Sequence, residues 1–188
     1  MTARPIRLLG DPMLRSKCNL VADPSSPAVR VVADDLRDSL KELKRVKGRG
    51  LGLSAPQVGA PIQLIFLELE RRTLLVNPEI VDVGSNDFLL WDECFSLPDL
   101  MIRVQHAHQI TVKYLDLGGK EHRIDFEGPP AHLIQHQIDH LNGVLAIDVA
   151  TGFDPFCFRK EWEKHHAEEG RFSDPYPRIA PQSAELLG

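Results

Sequence analysis

Along residues 29–43, apolar side chains recur at every third or fourth position: Val29, Val32, Leu36, Leu40 and Leu43, with charged residues between them. That period predicts an amphipathic helix, because residues three and four apart share one helix face. Pro24-Ser25-Ser26-Pro27 before the run and Gly48 after it supply a start and a stop. The pattern then breaks. Gly50-Leu51-Gly52-Leu53-Ser54-Ala55-Pro56-Gln57-Val58-Gly59 has no period and reads as an irregular glycine-rich loop. Ile62 to Leu67 has the length and character of a buried strand, and Thr73 to Val76 reads as another, closed by Asn77-Pro78. His108 to Leu115 and His122 to Phe126 alternate about Asp116-Leu117-Gly118-Gly119, which predicts a hairpin. Pro129-Pro130 ends that sheet pattern and opens a second helix, with Gly143 just past its end. A more charged helical stretch is expected from Pro155 to about Glu169, followed by a tail, Ser173 to Gly188, mobile or draped on the surface. No repeat is visible. The order of helix, strands and helix predicts an α+β fold, with antiparallel strands packed around the second helix.

Composition narrows the classes. A chain of 188 residues, 43% hydrophobic and 26% charged, fits one folded domain with a core of its own. The net charge of -5 argues against nucleic acid as the main partner. The one basic cluster, Lys41 to Lys47, alternates with apolar positions and reads as a solvated helix face. Three widely separated cysteines, Cys18, Cys94 and Cys157, make no disulfide framework and suggest a reducing compartment. No apolar run reaches membrane-spanning length and the N-terminus shows no signal-type apolar region, so a cytoplasmic protein without membrane contact is expected.

The chemistry concentrates in His136-Gln137-Ile138-Asp139-His140. Histidines at i and i+4 lie one turn apart on one helix face, so both imidazoles can reach a single divalent ion. Metallohydrolases with H-E-x-x-H place a glutamate after the first histidine as general base. Here that residue is Gln137, whose amide can donate and accept hydrogen bonds but cannot carry a proton near neutral pH. A hydrolytic site needs a third protein ligand and an open position, and Cys94 is the best third ligand. Taken alone, Cys94 reads more readily as an inert core thiol, and a histidine pair at this spacing is also common by chance.

Read in order, three segments change that balance. Gly50-x-Gly52-x-x-Ala55-Pro56-Gln57, Cys94-x-Ser96 and Gln135-His136-x-x-Asp139-His140-Leu141-x-Gly143 together resemble the three motifs of the peptide deformylases. Leu9 to Arg15 resembles the family's opening, and Gly143 to Asp148 continues its third motif. The resemblance implies a peptide deformylase-like α+β domain over residues 1–150, with 151–188 adding a C-terminal helix and tail to the same single domain. It implies that Cys94, His136 and His140 bind one divalent metal ion, with water as fourth ligand. Iron(II) would be the native ion, and zinc, nickel or cobalt would also fit such a sulfur and nitrogen set. The Gln57 side chain and the Phe95 backbone N–H would stabilise the oxyanion. Gly50 and Gly52 would let the substrate backbone come close. The implied activity is hydrolysis of an N-formyl group, from a formyl-methionyl peptide in protein biosynthesis or from a formylated small molecule, with release of formate. The chain would be a monomer or homodimer.

The chain departs from the family pattern at several places. Gln137 stands for the catalytic glutamate, Glu93 for a glycine beside the metal cysteine, Asp92 for a glutamate, Phe95 for a leucine and Ser54 for an alanine. His106 falls where the family has a supporting arginine, which suggests an Asp92–His106 pair. Two expectations compete for Glu93: that it points to solvent, favoured because adjacent strand residues face opposite ways, or that it supplies the missing carboxylate. An impaired or repurposed protein is the alternative function, one that binds a formyl or peptide ligand or acts on a small molecule in a biosynthetic pathway. The cavity mouth would discriminate: open toward Leu67–Arg72 for peptides, closed by Phe95, Trp91 and the tail for a small ligand.

Overall fold

The computed structural model describes residues 3–69 and 71–167, so the tail expected from Ser173 lies outside the described residues. Helix α1 spans Pro27–Lys47. Ser26 caps its start, and Gly48 ends it in the left-handed conformation at φ 72°. Among the described residues eight strands follow in chain order: β1 (Gly52–Ser54), β2 (Leu64–Glu68), β3 (Arg72–Val83), β4 (Asp87–Glu93), β5 (Leu100–Ala107), β6 (Gln109–Leu115), β7 (Glu121–Glu127) and, after helix α2 (Pro129–Leu141), β8 (Phe156–Phe158). Helix α3 covers Arg159–His165. The strands form two sheets, one ordered β1-β2-β3-β6-β7 and one ordered β4-β5-β8. Every pairing between named strands is antiparallel.

Strand β2 explains how the larger sheet is covered on both faces. Ile65 and Leu67 join the cluster formed with Ile134, Ile138 and Leu141 of α2. Leu64 and Phe66 point the other way, into a cluster with Val29, Leu36 and Leu40 of α1. A strand buried on both faces needs no polar alternation, and that is why residues 64–67 read as an unbroken apolar run. Helix α2 lies between the two sheets, touching β1, β2 and β7 on one side and β5 on the other. Its apolar stripe takes the larger sheet, and His132, His136 and His140, four residues apart, form the face that remains.

Several expectations need correction. The glycine-rich segment is not all irregular: Gly52-Leu53-Ser54 pairs with Leu67-Phe66-Ile65, and Ala55–Val58 forms a 3₁₀ turn. Strand β3 does not stop at Asn77-Pro78 but passes through it, with a register shift between Val76 and Glu79. Asn77 takes a positive φ of 50° there, and its side-chain amide exchanges hydrogen bonds with the Val21 backbone at 2.8 and 2.9 Å. A bulge of this kind lets proline sit inside a strand. Strands β4 and β5 are not delimited by the sequence pattern, although Glu93 reads as a strand residue. The stretch after Pro155 begins as β8, paired with β5, before it turns helical. Among the described residues, no helix is long and apolar enough to cross a membrane.

Candidate metal centre

The site forms where the free face of α2 meets the end of β4. Gly128 enters the helix at φ 64°, and the Pro129-Pro130 pair then starts it with φ already suited to a helix. Past the end of α2, Gly143 has φ 75°, and a Cβ there would lie 2.6 Å from the Arg15 carbonyl oxygen. Only glycine fits so close an approach in that conformation. The helix is thereby held in one position, with His136 and His140 both buried.

Cys94 follows β4 directly, and its Sγ lies 3.2 Å from His140 Nε2. One donor atom from each of Cys94, His136 and His140 falls within 4.8 Å of the others. His136 uses Nδ1 to donate to Asp92 Oδ2 at 2.6 Å, leaving Nε2 for an ion. A thiolate and two imidazoles, buried and convergent, fit a tetrahedral ion with a fourth position open.

The electrostatics agree with that use. Burial alone would push the Cys94 thiol up, but the His140 and His136 imidazoles override it and bring the thiol down to about 5. Burial likewise opposes charge on His136, yet the Asp92 and Cys94 anions hold it well above its ordinary value. Asp92 is fully enclosed, and its two histidine partners still keep its carboxyl far below the usual carboxylate range.

Behind the ligands lies a chain that differs from the expected Asp92–His106 pair. Asp92 Oδ1 is 3.0 Å from His132 Nε2, and His132 Nδ1 is 2.5 Å from His106 Nδ1. His106 Nε2 in turn faces Asp139 Oδ2 at 3.5 Å. His132 thus stands between Asp92 and His106, which β5 sets too far along to reach Asp92 itself. Asp92, His132 and His136 also lie close enough to be considered as metal ligands. The 2.6 Å contact is a hydrogen bond from the His136 N–H to the Asp92 carboxylate, and the 3.0 Å contact pairs that carboxylate with His132, so the group supports the neighbouring site. His132 was not singled out from the sequence, although its spacing of four from His136 repeats the motif one turn earlier.

A cavity of about 460 Å³, counting the part open to solvent, adjoins these ligands. It is lined by Arg49, Gly50, Leu51 and Gly52 from the glycine-rich segment and by Asp92, Glu93 and Phe95 from the end of β4 and just after it. Gln57, His136 and Gln137 also line it. Gln57 Oε1 accepts from the Ser54 N–H at 3.1 Å and from its hydroxyl at 3.2 Å. That orients Nε2 toward Ser96 Oγ at 3.3 Å and Cys94 Sγ at 3.8 Å, so the amide presents its donor end to the site. Gln137 is buried, and its Oε1 has no hydrogen-bond partner among the described residues. A buried amide oxygen without a partner, on a cavity wall, is suited to accept from a ligand or a water.

Glu93 does not point to solvent. Its carboxylate is buried and ion-paired on one oxygen with Arg49 Nε and on the other with Arg159 Nη2, the latter from α3. The alternation of strand faces fails as a guide because Glu93 is the last residue of β4, where the chain already turns toward Cys94. Trp91 does not close the cavity either; it is buried with Met101 and Trp162. Phe95 does line it, and its ring lies where a Cβ on Gly50 would come within 3.1 Å.

Fold and site together describe a protein in which one thiolate and two helix histidines converge beside a cleft. A family profile described as Polypeptide deformylase matches residues 3–155, and the chain belongs to that family. It is 34% identical to the peptide deformylase of Agrobacterium fabrum over 155 residues, 79% of this chain and 87% of that one. It is 38% identical to the peptide deformylase of Halothermothrix orenii over 151 residues, covering 79% and 94%. Among solved structures it is similar to the peptide deformylase of Thermotoga maritima, with a TM-score of 0.75 at 27% identity over 81% of this chain and all (100%) of that one. It is also similar to a class I type b peptide deformylase from Acinetobacter baumannii bound to Met-Ala-Ser, with a TM-score of 0.72 at 29% identity, covering 79% and 99%.

Proposed function

We propose that this chain is a metal-dependent deformylase that hydrolyses the N-formyl group of a formylated peptide and releases formate and a free amine. The observation that carries the reading is the convergence of Cys94, His136 and His140 beside a cleft that Gln57 enters with its donor end. The Met-Ala-Ser complex of the Acinetobacter baumannii enzyme supports a peptide as the substrate class. Cys94, His136 and His140 would hold one divalent ion, iron(II) in the native protein, with zinc, nickel or cobalt able to replace it. When bound, such an ion supplies Lewis acidity and lowers the pKa of water at its open position.

The chain's own residues do the rest. Gln57 Nε2, fixed through Ser54, donates to the oxygen on which negative charge develops, and the Phe95 backbone N–H is its companion donor. Gly50 and Gly52 leave room for the substrate backbone along the cavity. Gln137 Oε1 accepts a hydrogen bond from the attacking water and orients it. It cannot take the proton, so turnover is slower than a glutamate there would give, by roughly a hundred- to ten-thousand-fold. Glu93, with both oxygens held by guanidinium groups, is structural and not the replacement base. Residues 1–150 and 151–188 are read as one domain, consistent with β8 pairing to β5.

The test is formate release from a formyl-methionyl tripeptide by protein loaded anaerobically with iron(II). The expected result is slow release that requires the metal and is lost in Cys94→Ser. Failure of both the parent and Gln137→Glu to release formate, with metal bound in each, would overturn the reading.

A further inference from the structure

We propose that Arg49 forms a carboxylate-binding subsite at the cavity, so that the preferred substrate carries an acidic residue close behind its formyl-bearing end. The proposal rests on the deformylase reading above and adds a preference to it. Glu93 meets two guanidinium groups here. One of its oxygens is held by Arg159, which is almost fully buried, and the other by Arg49, which lines the cavity.

Its geometry suits a ligand. Arg49 donates to Glu93 through Nε, and among the described residues neither of its Nη groups donates a hydrogen bond. Its side chain is 21% exposed and lines the same cavity as Gln57 and Gln137, so it is held in place yet open to the cleft. The Nη edge of a guanidinium matches a carboxylate in two parallel hydrogen bonds, and Glu93 holds that edge in position beforehand. Among the described residues, no cavity carboxylate competes for it: Asp92 is taken up by His132 and His136, and Glu93 by the two arginines. Arg49 and Gln57 line the same cavity, and an extended peptide advances ~3.4 Å per residue, so the second or third residue is the one placed to meet Arg49 while the first sits by Gln57.

The test reads binding without turnover, so its outcome is independent of formate release. Metal-loaded protein is titrated calorimetrically with the C-terminally amidated peptides Met-Glu-Ser and Met-Ala-Glu, and with their glutamine counterparts. At least one acidic peptide should bind roughly ten- to a hundredfold more tightly than its amide twin, the span of a charge-assisted hydrogen-bonded contact. The advantage should shrink at high salt and in Arg49→Lys, and vanish in Arg49→Gln. Equal affinities within both pairs in the parent protein, or no measurable binding of either acidic peptide, would overturn the subsite. Those two outcomes are read on the parent protein alone, so they hold even if Arg49→Gln folds poorly.

Discussion

Cys94 and Asp92, two residues apart, are both kept ionised by histidines against the cost of their burial. In metal-free protein this predicts a thiolate absorbance that rises with a midpoint near pH 5 and is missing in Cys94→Ser. Cys18, pushed up to about 11 by burial, should contribute only in strong alkali. The sign for stability follows from the same shifts. Folded Cys94 and Asp92 both titrate below their unfolded values, so their contributions are present above those values and lost as pH falls through the folded ones. His136 is raised, so its contribution is full below its unfolded value and lost as pH climbs through the folded one. Metal-free protein should therefore unfold more easily below pH 5, measured by denaturant titration at several pH values. Asp92→Asn and His132→Ala should each weaken metal affinity by about ten- to a hundredfold, read by competition with a chelator, because both orient His136. The convergence of Cys94, His136 and His140 was legible in the sequence through their spacing and order. Their support was not, since which of His106 and His132 meets Asp92 depends on how far along β5 and α2 each one falls.

Helix α1, the β6–β7 hairpin and the helix carrying the histidines were all readable, because each has one buried face and a marked start or stop. The elements that escaped are those whose partner replaces the pattern. In β1, Gly52 sits where a Cβ would come 2.8 Å from Leu67, so the strand lacks the bulk that marks strands. In β3, Asn77-Pro78 imitates a stop, and only the bond to Val21 shows it to be a bulge. Helix α2 depends on a similar close contact at its far end. Gly143→Ala would combine a left-handed φ with a Cβ driven against the Arg15 carbonyl. The expected cost is about 1–3 kcal/mol from the backbone conformation, with the collision added to it. Thermal melting should fall by several degrees, and an unchanged midpoint would mean that the Arg15 segment moves aside freely.

At the scale of the molecule, two sheets clasp one helix, and the cleft is lined by the glycine-rich segment and the end of β4. Glu93 joins these two through Arg49 and draws in α3 through Arg159, so the C-terminal segment bears on the site. That link could not be read from the sequence, where residues 49, 93 and 159 carry no common pattern. On the proposed reading, the chain carries each part that the chemistry requires except a proton carrier at position 137. The decisive quantity is the ratio of formate-release rates for Gln137→Glu and the parent, at matched iron(II) content and on one formyl-methionyl peptide. A rise of roughly a hundred- to ten-thousand-fold is expected, with metal affinity unchanged. A ratio near one, with the metal bound in both, would refute the missing proton carrier and place the proton transfer on another group.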